Sequence, residues 1–162
     1  MKILSPQGIK LVLKEGTTFD VYFKDGKVKR YDILWLAKKF PQLEALKDRD
    51  FFLQGHLCGW SGVEWSDELD IGTETVYEDG VDVTDEYDDV WIAQLGYSIK
   101  ERRIQKNLTQ QQLAEKIGID QSDLSKIEKG LANPSIKMLK RISEGLGKEL
   151  IIKFTIGRGV KN

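Results

Sequence analysis

The chain is poor in the residues that form covalent or metal cross-links. It has one cysteine, Cys58, and one histidine, His56, among 162 residues. A single cysteine excludes an internal disulfide and is typical of a reducing compartment. Two such residues are also too few for a common structural zinc site. We therefore expect a cytoplasmic protein that uses no metal and no cofactor, in which Cys58 is a small core or edge residue and His56 is a polar residue of a strand.

Long apolar segments are missing as well. The longest uninterrupted apolar run, from Ile33 to Ala37, has five residues. A helix that crosses a membrane needs about 20 apolar residues, and the apolar region of a signal peptide needs at least about 7. We expect neither a signal peptide nor contact with a membrane.

A set of residues suited to catalysis is equally hard to find. Acidic side chains are plentiful between Asp67 and Asp89, but no Lys, Arg or His lies among them, nor any phosphate-binding glycine loop. An enzyme needs a poised nucleophile, a base or a metal site, and carboxylates without such partners usually face solvent. We predict that the chain is not an enzyme.

Charge is divided unevenly along the chain. Residues 1–94 carry 11 Lys/Arg and 19 Asp/Glu, a net charge of −8, whereas residues 95–162 carry 14 and 7, a net charge of +7. No Lys or Arg occurs from Asp50 to Ile99. The division predicts two units and a polyanionic partner for the basic one. Charge alone leaves open whether the acidic segment 67–89 docks on the basic unit or only keeps the protein soluble.

Residues 1–88 have the pattern of a small α+β domain. An Asp25-Gly26 pair between two runs that alternate apolar and polar residues indicates a hairpin, because glycine tolerates the positive φ of a tight turn. Pro41 is expected to end the helical stretch before it. Acidic composition with few large apolar residues favours a linker over Val81–Asp89. The predicted strands are Ile9–Leu13, Thr18–Phe23, Lys27–Ile33, Phe51–His56, Gly62–Trp65 and Thr73–Tyr77, and the helical stretch is Leu34–Phe40.

From Trp91 onward the apolar spacing becomes helical, which predicts an all-α bundle within residues 89–162. The sequence between Thr109 and Gly130 is typical of a helix-turn-helix. Thr109 and Gln112 form a capping box at the start of the second helix, and Gly118 ends it. The turn Gly118-Ile119-Asp120 joins that helix to a third one. The geometry of this turn orients the third helix so that its first residues can enter a major groove. A fourth helix is expected from Asn133-Pro134-Ser135 to Gly147, and the β composition of Glu149–Ile156 predicts a short terminal strand over 149–156.

This segment, Leu95–Leu146, resembles the phage repressor/Cro-type helix-turn-helix family. The resemblance is carried by LTQQQLAEKIGIDQSDLSKIEKG and NPSIKMLKRISEGLG. It implies a compact helical bundle, usually a homodimer, that reads a two-fold symmetric operator in double-stranded DNA.

The resemblance also implies roles for individual residues. Base edges would be contacted by Gln121, Ser122 and Lys126, with Ser125 as a further exposed candidate. Gln110 would bridge a phosphate and an edge base, Thr109 and Lys129 would contact phosphates, and Arg103 would pair with Glu128 to tie the first helix to the third. The chemistry of these side chains agrees, because Gln pairs bidentately with adenine and Lys donates to guanine.

The first ninety residues resemble a small, largely uncharacterised bacterial α+β domain family that occurs alone or ahead of helix-turn-helix domains. The likeness rests on FDVYFKDGKVKRYDI, Phe51-Phe52 and GVEWSDELDI with Val76-Tyr77. It implies an interaction or sensing module that takes an effector or a protein partner. Our first hypothesis is that the protein is a transcriptional regulator, and that it acts as a repressor. The alternative is an antitoxin that regulates its own operon and binds a toxin through the N-terminal domain.

Overall fold

The strands lie in the first half of the chain and form two antiparallel sheets. The computed structural model describes residues 5–59 and 61–154. The first sheet is a meander that is extended at one edge by a two-residue strand from much later in the sequence. Its strands are β1 (Gly8–Leu13), β2 (Thr18–Phe23), β3 (Val28–Asp32) and β7 (Val81–Asp82), in that spatial order. The second sheet contains β4 (His56–Cys58), β5 (Gly62–Ser66) and β6 (Leu69–Gly72).

Short helical segments connect these strands. The helical stretch predicted over Leu34–Phe40 ends earlier, at Leu36, and Pro41 instead begins the next helical turn, since its fixed φ suits the first position of a helix. The segments are 3-10 helices at Ile33–Leu36, Pro41–Lys47 and Thr84–Glu86, and α-helices α1 (Arg49–Phe52) and α2 (Thr73–Asp79). One apolar cluster, centred on Phe19, Tyr31, Phe52 and Trp65, fills the space between the two sheets and these turns.

The second half of the described chain is helical. Its helices are α3 (Val90–Gln105), α4 (Gln110–Ile117), α5 (Gln121–Glu128) and α6 (Ile136–Gly145). A second apolar cluster, built on Ile99, Leu113, Leu124 and Ile142, holds the four together. The predicted fold class, an α+β unit followed by a helical helix-turn-helix bundle, is therefore confirmed. Within residues 5–59 and 61–154, no helix has the length and apolar content needed to cross a membrane.

Two predicted strands of the first half are wrong. Asp48 accepts a hydrogen bond from the backbone N of Phe51 at 2.9 Å, so α1 forms where the Phe51–His56 strand was expected. The Thr73–Tyr77 strand is α2 instead, with Thr73 and Val76 buried on one face. Aromatic and β-branched composition favoured strands in both places, but local capping and packing decide such short segments.

The predicted linker over Val81–Asp89 and part of the predicted terminal strand are also wrong. Val81–Asp82 pairs with β3, Val83 is buried, and the Tyr87 ring packs edge-on against Tyr22 with centroids 5.1 Å apart. Glu149–Phe154 contains no strand, and Phe154 is fully exposed, because no described sheet edge lies alongside to pair with it. Residues 155–156 lie outside the described residues.

The first turns of α3 belong to the packing of both halves. A third apolar cluster joins Tyr22 and Val28 of the first sheet to Val83 and Ala93. Lys10 of β1 reaches across this contact, with Nζ 3.1 Å from Asp89 Oδ2 and 3.3 Å from the carbonyl oxygen of Gly130. The helix bundle is thus held against the first sheet by buried surface and by a bridging cation. The boundary between residues 88 and 89 stays a prediction.

Candidate nucleic-acid interface

Both ends of helix α4 are fixed by local capping interactions. Thr109 Oγ1 accepts from the backbone N of Gln112 at 3.1 Å, and Gln112 Oε1 accepts from the backbone N of Thr109 at 2.8 Å. These reciprocal bonds satisfy donors that have no partner inside the helix. Gly118 ends the helix with φ +67°, a left-handed conformation in which a side chain would be strained. The capping box and the glycine stop are as expected.

The position of α5 is set by close backbone approach as much as by apolar packing. Leu124 is completely buried, and a Cβ atom at Gly96 of α3 would clash with the carbonyl oxygen of Ile127. Only glycine allows the two helices to come so near. Asp120 precedes α5 in extended conformation, although its side chain makes no capping hydrogen bond. The result is that α5 keeps one face fixed in the core and turns the other outward.

The side chains expected to meet DNA lie around this outward face. Four of them lie on α5 itself, where residues four apart are neighbours on the helix surface, so that Gln121 stands beside Ser125 and Ser122 beside Lys126. Thr109 and Gln110 lie at the start of α4, and Lys129 directly follows α5. Thr109, Gln121, Ser122, Lys126 and Lys129 are exposed, and Gln110 and Ser125 are half-buried.

A buried ion pair lies beneath this surface. Arg103 Nε is 2.6 Å from Glu128 Oε1, and the second guanidinium nitrogen, Nη2, is 2.9 Å from Glu128 Oε2. The two side chains are 9% and 1% exposed. Arg103 also donates to the carbonyl oxygen of Leu108 at 2.7 Å, which fixes the loop before α4. The two-pronged geometry joins α3 to the end of α5.

The pair also orients the two glutamines. Gln110 Nε2 donates to Glu128 Oε2 at 2.8 Å, and Gln121 Nε2 donates to Gln110 Oε1 at 2.7 Å. A chain of hydrogen bonds therefore runs from the buried Arg103 to an exposed glutamine at the first turn of α5. The sequence predicts these residues individually, but it does not predict the hydrogen bonds that connect them, because those bonds join three helices.

Arg141 of α6 is a structural residue that the sequence analysis missed. Its Nη2 donates to the carbonyl oxygen of Ile117, and to that of Gly118 at 3.0 Å. The guanidinium thus satisfies acceptors at the C-terminus of α4, where the helix dipole also favours a cation. The sequence offers no signal for it beyond a basic residue on an otherwise amphipathic helix.

The cations that pair with acidic residues of segment 67–89 come from the N-terminal half. Glu86 pairs with Arg30 at 2.8 Å and Asp82 with Lys29 at 3.7 Å. Burial alone would raise the pKa of Asp89, but hydrogen bonds from Lys10 and Tyr22 outweigh it and lower that pKa. Across residues 5–59 and 61–154, no ion pair joins segment 67–89 to α4 or α5. The described contacts therefore give no support to docking of this segment on the outward face of α5.

Comparison with known proteins matches both halves. The family described as "Helix-turn-helix" matches residues 99–152, and the family described as "Protein of unknown function (DUF2442)" matches residues 9–82. An uncharacterized HTH-type transcriptional regulator of Methanothermobacter thermautotrophicus is 40% identical over 53 residues, which are 33% of this chain and 77% of that relative. A crystal structure described as a candidate DNA-binding protein, from Nitrosomonas europaea, has 18% identity and a TM-score of 0.40 over 85% of this chain and 84% of that one.

Proposed function

Because the chain belongs to the helix-turn-helix family, we propose that it is a cytoplasmic transcriptional regulator that binds double-stranded DNA sequence-specifically through α5. The observation that carries this proposal is the hydrogen-bond chain from Arg103 through Glu128 and Gln110 to Gln121. Side chains that read bases must be held in place, since each rotatable group that is ordered only on binding costs affinity. This series of hydrogen bonds holds the Gln121 side chain in place in the absence of DNA.

The remaining donors and acceptors of the two glutamines suit their proposed roles. One N–H of Gln121 is used by Gln110 Oε1, which leaves its second N–H and its Oε1 for the N7 and N6 of an adenine. One N–H of Gln110 is used by Glu128, which leaves the other for a phosphate oxygen. Gln121 therefore reads a base while Gln110 fixes the register of α5 on the backbone.

The cations at this surface complete the interface. Lys126 is exposed, and its Nζ lies 3.9 Å from Asp123 Oδ1, a weak contact that it can exchange for guanine O6 or N7. Lys129, Thr109 and the backbone around them contact phosphates, and Ser122 and Ser125 fill the space between the longer side chains. Such a module covers one half-site, so we propose a homodimer that spans two half-sites about 34 Å apart and acts as a repressor.

Selection of binding duplexes from a randomised library tests the proposal. The wild-type chain should yield one consensus, and Gln121→Ala and Lys126→Ala should each relax one position, at a cost of about 1–3 kcal/mol on the original site. Lys116→Ala is the matched control, because Lys116 is also exposed but lies beside α6 on another side of α4. Its consensus should be unchanged. An unaltered consensus in both Gln121→Ala and Lys126→Ala would exclude α5 as the reading helix.

A second candidate function is an antitoxin that represses its own operon and binds a toxin through the N-terminal domain. It is favoured by the acidic surface of that domain, which suits a basic protein partner. A toxin-type reading frame beside the gene, whose product forms a complex with the full chain, would support this candidate. Absence of such a neighbour would favour the regulator alone.

A further inference from the structure

A crevice of about 380 Å³ lies between the N-terminal sheets and the helix bundle, lined by residues of both. Strands β1 and β4 form one wall, and α3 with the end of α5 and the residues after it forms the other. Its apolar lining comes from Ile9, Leu11, Leu57 and Leu131. Its size is within the range of pockets that hold small molecules, which combine an apolar lining with a few convergent polar groups.

The charged groups of this crevice leave an excess of positive charge. Lys10 is committed to Asp89 and the carbonyl of Gly130, and Glu128 is committed to Arg103. Lys100 and Lys129 line the crevice, are exposed, and form no ion pair within the described part of the chain. Two lysines from different elements therefore face one apolar-lined space without a counter-charge, which favours an anion there.

The N-terminal wall favours a small anion over the backbone of a nucleic acid. The domain that supplies it is strongly acidic, and the stretch from Asp50 to Ile99, which includes β4, contains no Lys or Arg. A phosphate backbone running along that wall would be repelled, whereas a small anion inside the crevice would meet only the local lysines.

We propose that the crevice binds a small organic anion, a carboxylate or phosphate attached to an apolar body, and that this ligand competes with DNA. The competition rests on the function proposed above, because Gln110 and Lys129 line the crevice and are also the proposed phosphate contacts. A ligand that neutralises Lys129 and occupies the space beside Gln110 removes two contacts that fix the DNA backbone. The N-terminal domain is then the second wall of an effector site.

Phenyl phosphate is the probe that tests the ligand site, with the full chain and no DNA present. Amide shifts in ¹⁵N spectra should saturate around Leu57, Lys100 and Leu131 with a Kd on the order of 1 mM, the strength expected for so small a ligand. Lys100→Gln should weaken binding about tenfold, the loss of one charge-assisted hydrogen bond. Lys116→Gln is the control and should bind as the wild type does. Inorganic phosphate and phenol, which each carry half of the probe's chemistry, should bind about tenfold more weakly than phenyl phosphate.

A second titration uses the selected duplex and measures its Kd with and without saturating phenyl phosphate. The duplex should bind more weakly to the wild type in the presence of the probe, and Lys100→Gln should lose this effect while binding the free duplex normally.

Absence of saturable shifts, or equal binding of inorganic phosphate, overturns the ligand site. Weakened duplex binding by Lys100→Gln without any probe overturns it too, since Lys100 would then be a DNA contact and not a residue reserved for the ligand. Unchanged duplex affinity with the probe bound overturns the competition. If no duplex binds at all, the proposed function fails, while the probe titration still decides the crevice.

Discussion

Replacing Glu128 by alanine should destabilise the helix bundle strongly. Glu128 holds Arg103 through two hydrogen bonds of 2.6 and 2.9 Å, and its side chain is only 1% exposed. Without it, the guanidinium keeps its charge in a position where water has little access. Gln110 loses its acceptor as well, so the anchor of Gln121 is released at the same time.

The size of the effect follows from this burial. Removing one partner of a buried ion pair costs about 3–5 kcal/mol, because the remaining charge is left uncompensated. For a chain of this length, 1 kcal/mol changes the melting temperature by about 2–4 °C, so the loss corresponds to about 10 °C. The double variant Arg103→Ala/Glu128→Ala should lose less than the sum of the two single variants, since it leaves no charge unpaired.

Thermal unfolding followed by circular dichroism measures the loss. Asp123→Ala is the matched control on the same helix, because Asp123 and Lys126 form an exposed pair with side chains 58% and 60% accessible. That pair should contribute less than about 1 kcal/mol. A loss in Glu128→Ala no larger than in Asp123→Ala, or strict additivity in the double variant, would refute the reasoning.

Other predictions follow from the same packing and charges. Gly96→Ala should lower the free energy of unfolding by about 1–3 kcal/mol, because the added methyl clashes with backbone of α5, and denaturation with urea would show it; an unchanged midpoint would mean that α3 and α5 are farther apart. Asp89 has a lowered pKa in the folded chain, so its contribution is present above its unfolded pKa of about 3.9 and is lost as pH falls through the folded pKa. The stability gap between the wild type and Asp89→Asn should therefore close in acid, and a gap that persists or grows there would contradict the assignment. Lys129→Ala should weaken all duplexes evenly and reduce the slope of log K against log salt by about 0.9, whereas a loss confined to one sequence would place Lys129 on a base.

The helical half could be predicted closely because its signals are local. The cap at Thr109, the left-handed glycine at Gly118 and the spacing of apolar residues each act within one or two turns. The roles of the exposed residues still stand as predictions, because they depend on a partner.

The first half was harder because its short segments are decided by distant contacts. Val81–Asp82 begins an acidic segment with few large apolar residues, yet it becomes a strand because β3 offers an edge about fifty residues away in the sequence. Thr73 begins a helix where its composition favoured a strand, and its hydroxyl oxygen lies 3.1 and 3.0 Å from the carbonyl oxygens of Ser61 and Pro6, either of which can accept its one hydrogen. The close approach at Gly96 and the crevice between the halves likewise depend on how elements pack, which no local pattern records.

Cleavage of DNA from a probe tethered to α5 tests the central claim most directly. The single cysteine allows a Cys58→Ser background, into which Asp123→Cys places an iron chelate on an exposed position of α5 outside the proposed contacts. Glu144→Cys, exposed on α6, carries the same chelate as a control. If α5 lies in the major groove, cleavage from position 123 should cluster within the selected half-site, and position 144 should give little. Equal cleavage from both positions, or cleavage from position 123 outside the half-site, would contradict the account.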